Sequence, residues 1–332
     1  MPPNEWTRDR LEKLADFWAD RLVLEAVSLD VFGRLAGAPM TAEELADALG
    51  LQPRATLLFL DALAALDLLV KEGPRYENSE AAARFMVPGS PDYVGNQLVI
   101  AHRHWALWGD LYAALRTGRR QREKRLFVDD PDTTRRLLLD IHRNARSRAT
   151  DLLNRGAIEV GSCKRMLDLG GGAGTYSVAF CRANRRLRST LVDRPLAAEV
   201  ARDVVASAGL EDRITILDYD VDERALPSTY DFIWVSNVIH SRSYDANRAL
   251  FRRLHPRLES GGTIAVQDIV MEEGRTRPAR GAVFALHMLL CNGLGRCYTF
   301  LEIQHWLSTA GFRELRWVRE EGEDLSLVIG RK

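Results

Sequence analysis

A short stretch of the chain, MLDLGGGAGTYSVAF at 166–180, combines a carboxylate with three glycines at alternate positions. Asp168 comes first, and the glycines begin at Gly170. Glycines can adopt positive φ values and let a ligand approach the main chain, while a helix behind them supplies unpaired N–H groups. The stretch therefore predicts a buried strand, a ligand-binding turn, and a helix that begins at Thr175 or Tyr176.

The spacing of the glycines separates two classes of cofactor. A dinucleotide fold has the pattern G-x-G-x-x-G, but Thr175 occupies the position of its third glycine. The pattern here is G-x-G-x-G, and Asp168 before it would repel a pyrophosphate and favour a cationic group. S-adenosylmethionine has a nucleoside, an ammonium and a sulfonium, and it has no phosphate. We therefore predict S-adenosylmethionine as the cofactor.

After the turn, the chain alternates between apolar strands and helices. The predicted strands are 188–193, 213–218, 231–236 and 262–268, with helices near 195–208 and 245–259. This order predicts an α/β fold with a doubly wound sheet, in which ligands bind at the carboxyl ends of the strands. The polar residues at those ends are Asp193, Asp218, Asp220, Ser236, Asn237 and His240.

Asp193 lies about twenty residues beyond the glycine turn, where a carboxylate can bind ribose hydroxyls. A helix cap before Pro195 is the alternative interpretation.

The first ninety residues have the pattern of a winged helix. Helices are predicted at about 8–20 and 21–35, and a capping box at Thr41 begins a helix that ends near Gly50. Pro53 begins another helix, and KEGPRYENS predicts a hairpin. Between 51 and 70 the only basic residue is Arg54, which disfavours DNA binding and favours packing against the chain or a second subunit.

Three further segments connect the two patterns. Residues 93–118 predict one long helix with Trp105 and Trp108 on an apolar stripe, and 132–158 predict another helix. The basic run 116–125 predicts a solvated loop.

Composition limits the class of protein. The 332 residues hold 46 Lys plus Arg and 46 Asp plus Glu, so no overall field attracts nucleic acid or an acidic membrane. The sequence contains neither a signal peptide nor a long apolar run, and we predict a cytoplasmic protein. The four cysteines have no metal-ligand spacing, so we predict reduced thiols and no metal.

Four motifs together resemble the class I S-adenosylmethionine-dependent methyltransferases: LDLGGGAGTYS, LVDRP, YDFIWVSNVIHS and GRCYTFLEIQHWLSTAGF. The similarity is to the small-molecule O-methyltransferases of the caffeate, acetylserotonin and bacterial polyketide-tailoring type. It implies a Rossmann-like, doubly wound, seven-stranded sheet after a mostly α-helical winged-helix domain. The implied segments are a dimerisation domain at 1–90, a helical linker and acceptor-site cap at 91–157, and a methyltransferase domain at 158–332.

The resemblance also implies roles for individual residues, carried over position by position. The cofactor-binding residues are Asp168, Gly170 and Gly172 at the methionine part, Asp193 at the ribose, Asp220 and Val221 at the adenine, and Ser236 and Asn237, which close the pocket. The implied acceptor-binding residues are Trp108, His287, Met288, Cys291 and Asn292. His240 matches the family's general base.

The chain departs from the family around His240. Ser241 replaces an aspartate of the plant members, and Cys297 replaces a glutamate. Asp268 is then the residue that would orient the imidazole.

We therefore expect an O-methyltransferase that acts on a small aromatic or polyketide-like metabolite and forms a homodimer. Two alternatives remain open. One is a relative with the same cofactor and diverged chemistry, such as N- or C-methylation or a hydroxylase-type activity. The other is a winged-helix regulator that senses a nucleoside.

Overall fold

The capping box predicted at Thr41 is present in the structure. The computed structural model describes residues 7–123, 130–319 and 324–332. Thr41 and Glu44 exchange both hydrogen bonds of a capping box, and Gly50 ends that helix in the left-handed conformation. The elements are α1 (Arg8–Ala15), α2 (Trp18–Ser28), α3 (Val31–Leu35), β1 (Met40–Thr41), α4 (Ala42–Leu49), α5 (Pro53–Ala65), β2 (Leu69–Glu72), β3 (Arg75–Asn78), α6 (Glu80–Phe85) and α7 (Gly95–Trp108).

The helix, turn, helix and hairpin order of α4, α5, β2 and β3 confirms the winged-helix pattern. The hairpin and β1 form a three-stranded antiparallel sheet in the order β1-β3-β2. Phe32, Leu45, Leu60 and Tyr76 are fully buried in the core of this unit. Apolar burial at these positions supplies the stability of so small a unit.

Two helix predictions are wrong in extent. The segment 8–35 contains three helices, because Asp30 takes a left-handed conformation at φ 59° and ends α2. The predicted helix 93–118 is broken at Gly109, where a glycine costs more backbone entropy than other residues. The basic run 116–125 is irregular from 119 to 123, and its last two residues lie outside the described ones.

The second half of the chain is an alternating α/β structure. Its elements are α8 (Leu111–Thr117), α9 (Pro131–Asn154), β4 (Arg165–Leu169), α10 (Thr175–Ala183), β5 (Arg188–Asp193), α11 (Pro195–Ser207), β6 (Ile214–Asp218), β7 (Tyr230–Ser236), α12 (Tyr244–Leu254), β8 (Leu258–Asp268), β9 (Val270–Met271), α13 (Ala279–Cys291), β10 (Tyr298–Thr299), α14 (Phe300–Ala310), β11 (Arg313–Val318) and β12 (Ser326–Arg331). Single 3₁₀ turns lie at Ile239–Ser241 and His255–Arg257.

Seven of these strands form one sheet in the order β11-β12-β8-β7-β4-β5-β6. The five strands from β8 to β6 are parallel, and β12 runs antiparallel to both of its neighbours, β8 and β11. The chain leaves β4 toward β5 on one side and returns to β7 on the other. This reversal confirms the predicted doubly wound, seven-stranded sheet and creates a crevice at the carboxyl end of β4.

Both faces of β4 are buried, as expected of a central parallel strand. Met166 points into a core on one face, where Trp234 packs against Tyr176. Leu167 points into the core on the other face, where Trp306 packs against Tyr298. The strand and the helix that follows it are therefore fixed on both sides, and so is the turn between them.

The chain divides into two compact units, Met1–Ala106 and Leu107–Lys332. The three segments predicted from the sequence stay a prediction. Within the described ranges, no helix is both long and apolar enough to cross a bilayer.

Candidate active site

The glycine turn brings three strand ends together. Gly170 follows β4 with φ +66°, and its N–H donates to the Val192 carbonyl at 2.8 Å. A Cβ at Gly170 would lie 2.5 Å from Val238 Cγ2, so no larger residue fits there without a shift. Gly174, at φ +77°, precedes the first residue of α10. The main chain is therefore open to a ligand where the helix N-terminus begins.

Asp168 is buried beside this turn and is only partly satisfied. Its Oδ2 accepts the Ser177 hydroxyl at 2.6 Å, and the Ser177 and Ser189 hydroxyls are 2.8 Å apart. Its Oδ1 is buried and has no partner within the described part of the chain. Burial raises the pKa of Asp168 to about 6, while the Ser177 bond acts in the opposite direction. A buried carboxylate oxygen of this kind fits a cationic donor from a ligand.

Asp193 lies at the end of β5, where its carboxylate contacts the glycine turn. Oδ2 accepts the Gly172 N–H at 2.8 Å, and Oδ1 accepts the Arg194 N–H at 2.7 Å. Burial raises the pKa of Asp193, although these two N–H groups counteract it and Asp220 adds to it. Each carboxylate oxygen keeps a second lone pair, which a hydroxyl could use.

Asp220 and Val221 lie in the loop after β6, and both are half-buried. Asp220 Oδ1 accepts the Asp222 N–H at 2.9 Å, which fixes the loop as a local turn.

The end of β7 carries a network that the sequence did not predict. Gln267 Oε1 accepts the Ser236 hydroxyl at 3.0 Å and the Tyr176 hydroxyl at 2.5 Å. Asn237 takes φ +56° and donates its side-chain amide to Ser236 Oγ at 3.1 Å. The hydroxyl of Ser236 is thus used within the protein, whereas Asn237 is exposed at the strand end.

His240 and Asp268 form a close pair at the ends of β7 and β8. His240 Nδ1 lies 2.9 and 3.1 Å from the two Asp268 oxygens, and Asp268 is almost fully buried. Asp268 Oδ1 also accepts the Ile269 N–H at 2.8 Å. A carboxylate that only accepts places the imidazole proton on Nδ1, so Nε2 is the acceptor nitrogen.

Aromatic rings from α13 and Trp108 pack beside this pair. Phe284 contacts His240 edge-on at 5.0 Å and is stacked with His287 at 5.7 Å between centroids. Trp108 Nε1 donates to His287 Nδ1 at 3.2 Å, and the two rings are stacked. Burial lowers the pKa of His287 to about 4, and nearby His240 acts in the same direction. His287 is therefore neutral near pH 7.

The other predicted acceptor residues differ in their surroundings. Met288 and Cys291 are buried in one small apolar cluster, and burial raises the pKa of the Cys291 thiol to about 12. Asn292 donates to the Ser241 carbonyl at 3.1 Å and accepts the Leu294 and Gly295 N–H groups at 2.9 Å. Its amide therefore fixes the turn after α13 to the turn that carries His240.

Gly295 is the first residue of the motif GRCYTFLEIQHWLSTAGF, in which no role was predicted for it. A Cβ at this position would collide with the carbonyl oxygen of His240 and lie 2.9 Å from Ser241 Cα. These are main-chain atoms, which cannot rotate away. The close approach requires glycine here.

We expect Gly295→Ala to displace the His240 turn and to lower turnover at least about tenfold, since a misplacement on the order of 1 Å can cost a hundredfold. Steady-state turnover and thermal melting measure the effect. Gly37→Ala is the control, because a Cβ at Gly37 would meet open space. Gly261→Ala is unsuitable, because Gly261 has φ +75° and any side chain there would strain the backbone. Parent-like turnover in Gly295→Ala would show that the turn tolerates displacement.

The strand order of the seven-stranded sheet is that of the class I methyltransferase fold. The chain matches the family "O-methyltransferase domain" over residues 111–313 and the family "O-methyltransferase dimerisation domain" over residues 11–88. It is 34% identical over 348 residues to the tetracenomycin polyketide synthesis 8-O-methyl transferase TcmO of Streptomyces glaucescens, covering 100% of this chain and 99% of that one.

Two other similarities extend the comparison. The N,N-dimethyltransferase OxyT of Streptomyces rimosus is 28% identical, covering 94% of this chain and 92% of its own length. The solved structure of the mitomycin 7-O-methyltransferase MmcR superposes with a TM-score of 0.81 and 26% identity over 97% of this chain and 96% of that one.

The chain belongs to the O-methyltransferase family. It is a methyltransferase that depends on S-adenosylmethionine, the methyl donor of this family. Two observations fit that cofactor: the buried oxygen of Asp168 that lacks a partner among the described residues, and the glycine turn at the N-terminus of α10.

Proposed function

We propose that the protein transfers a methyl group to a hydroxyl oxygen of a small aromatic or polyketide-like metabolite, with His240 as the general base. The observation that carries the proposal is the pair of contacts between His240 Nδ1 and Asp268 at 2.9 and 3.1 Å. A hydroxyl is a poor nucleophile until its proton is removed, and neutral imidazole is suited to that task near pH 7.

His240 and Asp268 have different roles in the proposed proton transfer. His240 accepts the hydroxyl proton at Nε2, and the buried Asp268 carboxylate holds the ring and stabilises the imidazolium that forms. The cofactor, when bound, supplies an electrophilic methyl group. Phe284 packs edge-on against the His240 ring and stacks with His287, so these rings limit the positions that the imidazole can take. Holding the reactants in line then contributes much of the remaining acceleration.

We assign the cofactor to the carboxyl ends of β4 to β7. Asp168 would bind the ammonium, with the main chain at Gly170 and Gly172 beside the methionine part. Asp193 would bind the ribose hydroxyls. The turn at Asp220 and Val221 would hold the adenine, with Ser236 and Asn237 at the end of β7 closing the pocket.

The acceptor would lie against α13 and Trp108. Met288, Cys291 and the stacked pair of Trp108 and His287 offer apolar and aromatic surface, which favours a planar aromatic acceptor. TcmO, whose name describes a polyketide O-methyl transferase, supports the same class of acceptor. Asn292 would act from behind this surface by holding the His240 turn.

Incubation with methyl-labelled S-adenosylmethionine and a panel of phenols, naphthols and aromatic amines tests the function. We expect label on oxygen. Transfer to nitrogen alone would replace the proposal with the second candidate, an N-methyltransferase, which the similarity to OxyT favours. Bound cofactor without transfer to any acceptor would point to diverged chemistry.

A substitution at the end of β5 tests the cofactor assignment. We expect Asp193→Ala to weaken S-adenosylhomocysteine binding by about tenfold or more, because hydrogen bonds to a charged group contribute roughly 1.5–3 kcal/mol. Calorimetric titration measures the change. Asp212→Ala, at an exposed aspartate before β6, is the control. Equal affinities in the two variants would remove Asp193 from the site.

The remaining assignments concern the whole protein. We propose a homodimer formed through the dimerisation domain, with the segment limits 1–90, 91–157 and 158–332 given above. Sedimentation at twice the chain mass would support the dimer. The four cysteines are free, which fits a reducing cytoplasm.

A further inference from the structure

We propose that the ion pair between Arg242 and Asp222 couples adenine binding to the placement of His240. Arg242 is then a positioning residue, which acts through His240 and not on the acceptor. The inference rests on the proposed function, in which the Asp220 turn holds adenine and His240 is the base. It goes further by naming the physical link between the two.

The adenine side of the link is a tightly folded loop. Asp222 donates its N–H to Asp220 Oδ1 at 2.9 Å, and Glu223 donates to the Asp220 carbonyl at 2.9 Å. These two bonds fix the main chain of Asp222 and Glu223 against Asp220, so the Asp222 carboxylate projects from a folded turn. A ligand that orders Asp220 and Val221 therefore also orders Asp222.

At the His240 end of this coupling lies Arg242, two residues after His240. Its Nη2 lies 2.8 and 2.6 Å from the two Asp222 oxygens. The Arg242 side chain is 15% exposed and that of Asp222 is 48% exposed, so solvent and salt screen this ion pair in part. The Arg242 carbonyl accepts the hydroxyl of the buried Tyr298 at 2.6 Å. The guanidinium thus extends to the loop from an anchored main chain.

A second arginine holds the same loop without reaching the base. Arg253, near the end of α12, lies 3.1 Å from Asp222 Oδ1 through Nη1. Its Nη2 donates to the Val221 carbonyl and, at 3.0 Å, to the Arg224 carbonyl. Arg242 and Arg253 therefore share one carboxylate, but only Arg242 belongs to the turn that carries His240.

This arrangement makes the coupling reciprocal. If adenine restricts the loop, it also restricts Arg242 and the His240 turn, and a fixed turn favours adenine by the same factor. The cofactor would then complete the placement of the base as it binds. Without the ion pair, the two events become independent.

The test compares Arg242→Gln with Arg253→Gln. Calorimetric titration with S-adenosylhomocysteine should show weaker binding in both variants, by roughly two- to fivefold, as for a partly exposed ion pair. The second measurement is the ¹³Cε1 resonance of His240, identified by its loss in His240→Gln. Its shift on S-adenosylhomocysteine binding should persist in Arg253→Gln and shrink strongly in Arg242→Gln. Direct proximity of the ligand changes the His240 resonance equally in both variants. The difference between their shifts therefore reports the Arg242–Asp222 ion pair alone.

Two controls address folding and charge. Glu259→Gln removes the partner of Arg165 at the other end of the sheet and should leave both measurements at parent values. Arg242→Lys keeps the positive charge without the planar guanidinium and should give an intermediate response, which remains interpretable if Arg242→Gln melts early.

The outcomes separate this inference from the proposed function. Identical His240 responses in Arg242→Gln and Arg253→Gln would overturn the coupling, as would parent-like affinity in both. Rapid methyl transfer by His240→Gln together with the expected difference in resonance would remove the base assignment and leave the coupling in place.

Discussion

His240→Gln is expected to lower turnover by about a hundredfold to ten-thousandfold, which is the usual contribution of a positioned general base. Glutamine keeps a hydrogen bond donor near Asp268 but cannot take the hydroxyl proton. Turnover at saturating S-adenosylmethionine, with an acceptor found in the labelled panel, measures the effect. Binding of S-adenosylhomocysteine should stay near the parent value, because the proposed cofactor contacts lie on other residues.

An exposed histidine provides the matched control for this loss. His305 is exposed on α14, so His305→Gln should leave turnover unchanged. If His240→Gln turns over like the parent protein, His240 only lines the site. A similar loss in His305→Gln would show that the effect of substitution is not specific to the base.

Asp168→Asn is expected to have opposite effects on ligand binding and on stability. Asparagine can still accept the Ser177 hydroxyl, but it has no charge to offer an ammonium. Loss of a charge-assisted hydrogen bond should weaken S-adenosylhomocysteine binding by about tenfold to a hundredfold. Calorimetric titration measures this change, with the exposed Asp212→Asn as control.

The stability effect follows from the pKa of Asp168, which burial raises from 3.8 to about 6. Between these values the folded state binds more protons than the unfolded state, so the ligand-free parent loses stability as pH rises from about 4 to about 6. The loss is on the order of 2–3 kcal/mol and persists at higher pH. Asp168→Asn should remove the contribution of Asp168 to this dependence, leaving that of Asp193, and should unfold at higher denaturant concentration at pH 8. A lower unfolding midpoint together with unchanged affinity would contradict both parts.

Much of the fold follows from local sequence. The predicted strand 188–193 has the bounds of β5, and Thr175 begins α10, because apolar runs with acidic ends and glycine breaks are local signals. The breaks at Asp30 and Gly109 were missed, since an apolar stripe continues across each of them.

The site was less predictable, because its contacts join residues that lie far apart in sequence. His240 and Asp268 are 28 residues apart, and their distance depends on the pairing of β7 with β8. The Gln267 network and the contact of Phe284 with His240 have no recognisable sequence pattern, because the same residue types also occur in ordinary packing. For Gly295, the only sequence signal was that a glycine lies between α13 and the residues Tyr298 and Thr299.

The His240–Asp268 pair and the aromatic surface lie on different elements of the fold, which has a consequence for the evolution of specificity. His240 and Asp268 are held by the sheet, whereas Phe284 and His287 belong to α13. On the proposed function, exchanging residues within 279–291 for those of a relative would alter the acceptor surface while the sheet still holds His240 and Asp268, provided that Phe284 is kept against the His240 ring. The exchange must stop before Asn292, because that amide and Gly295 join the helix end to the His240 turn. On that proposal, the acceptor surface and the His240–Asp268 pair lie on separate elements, and the boundary between them is at Asn292.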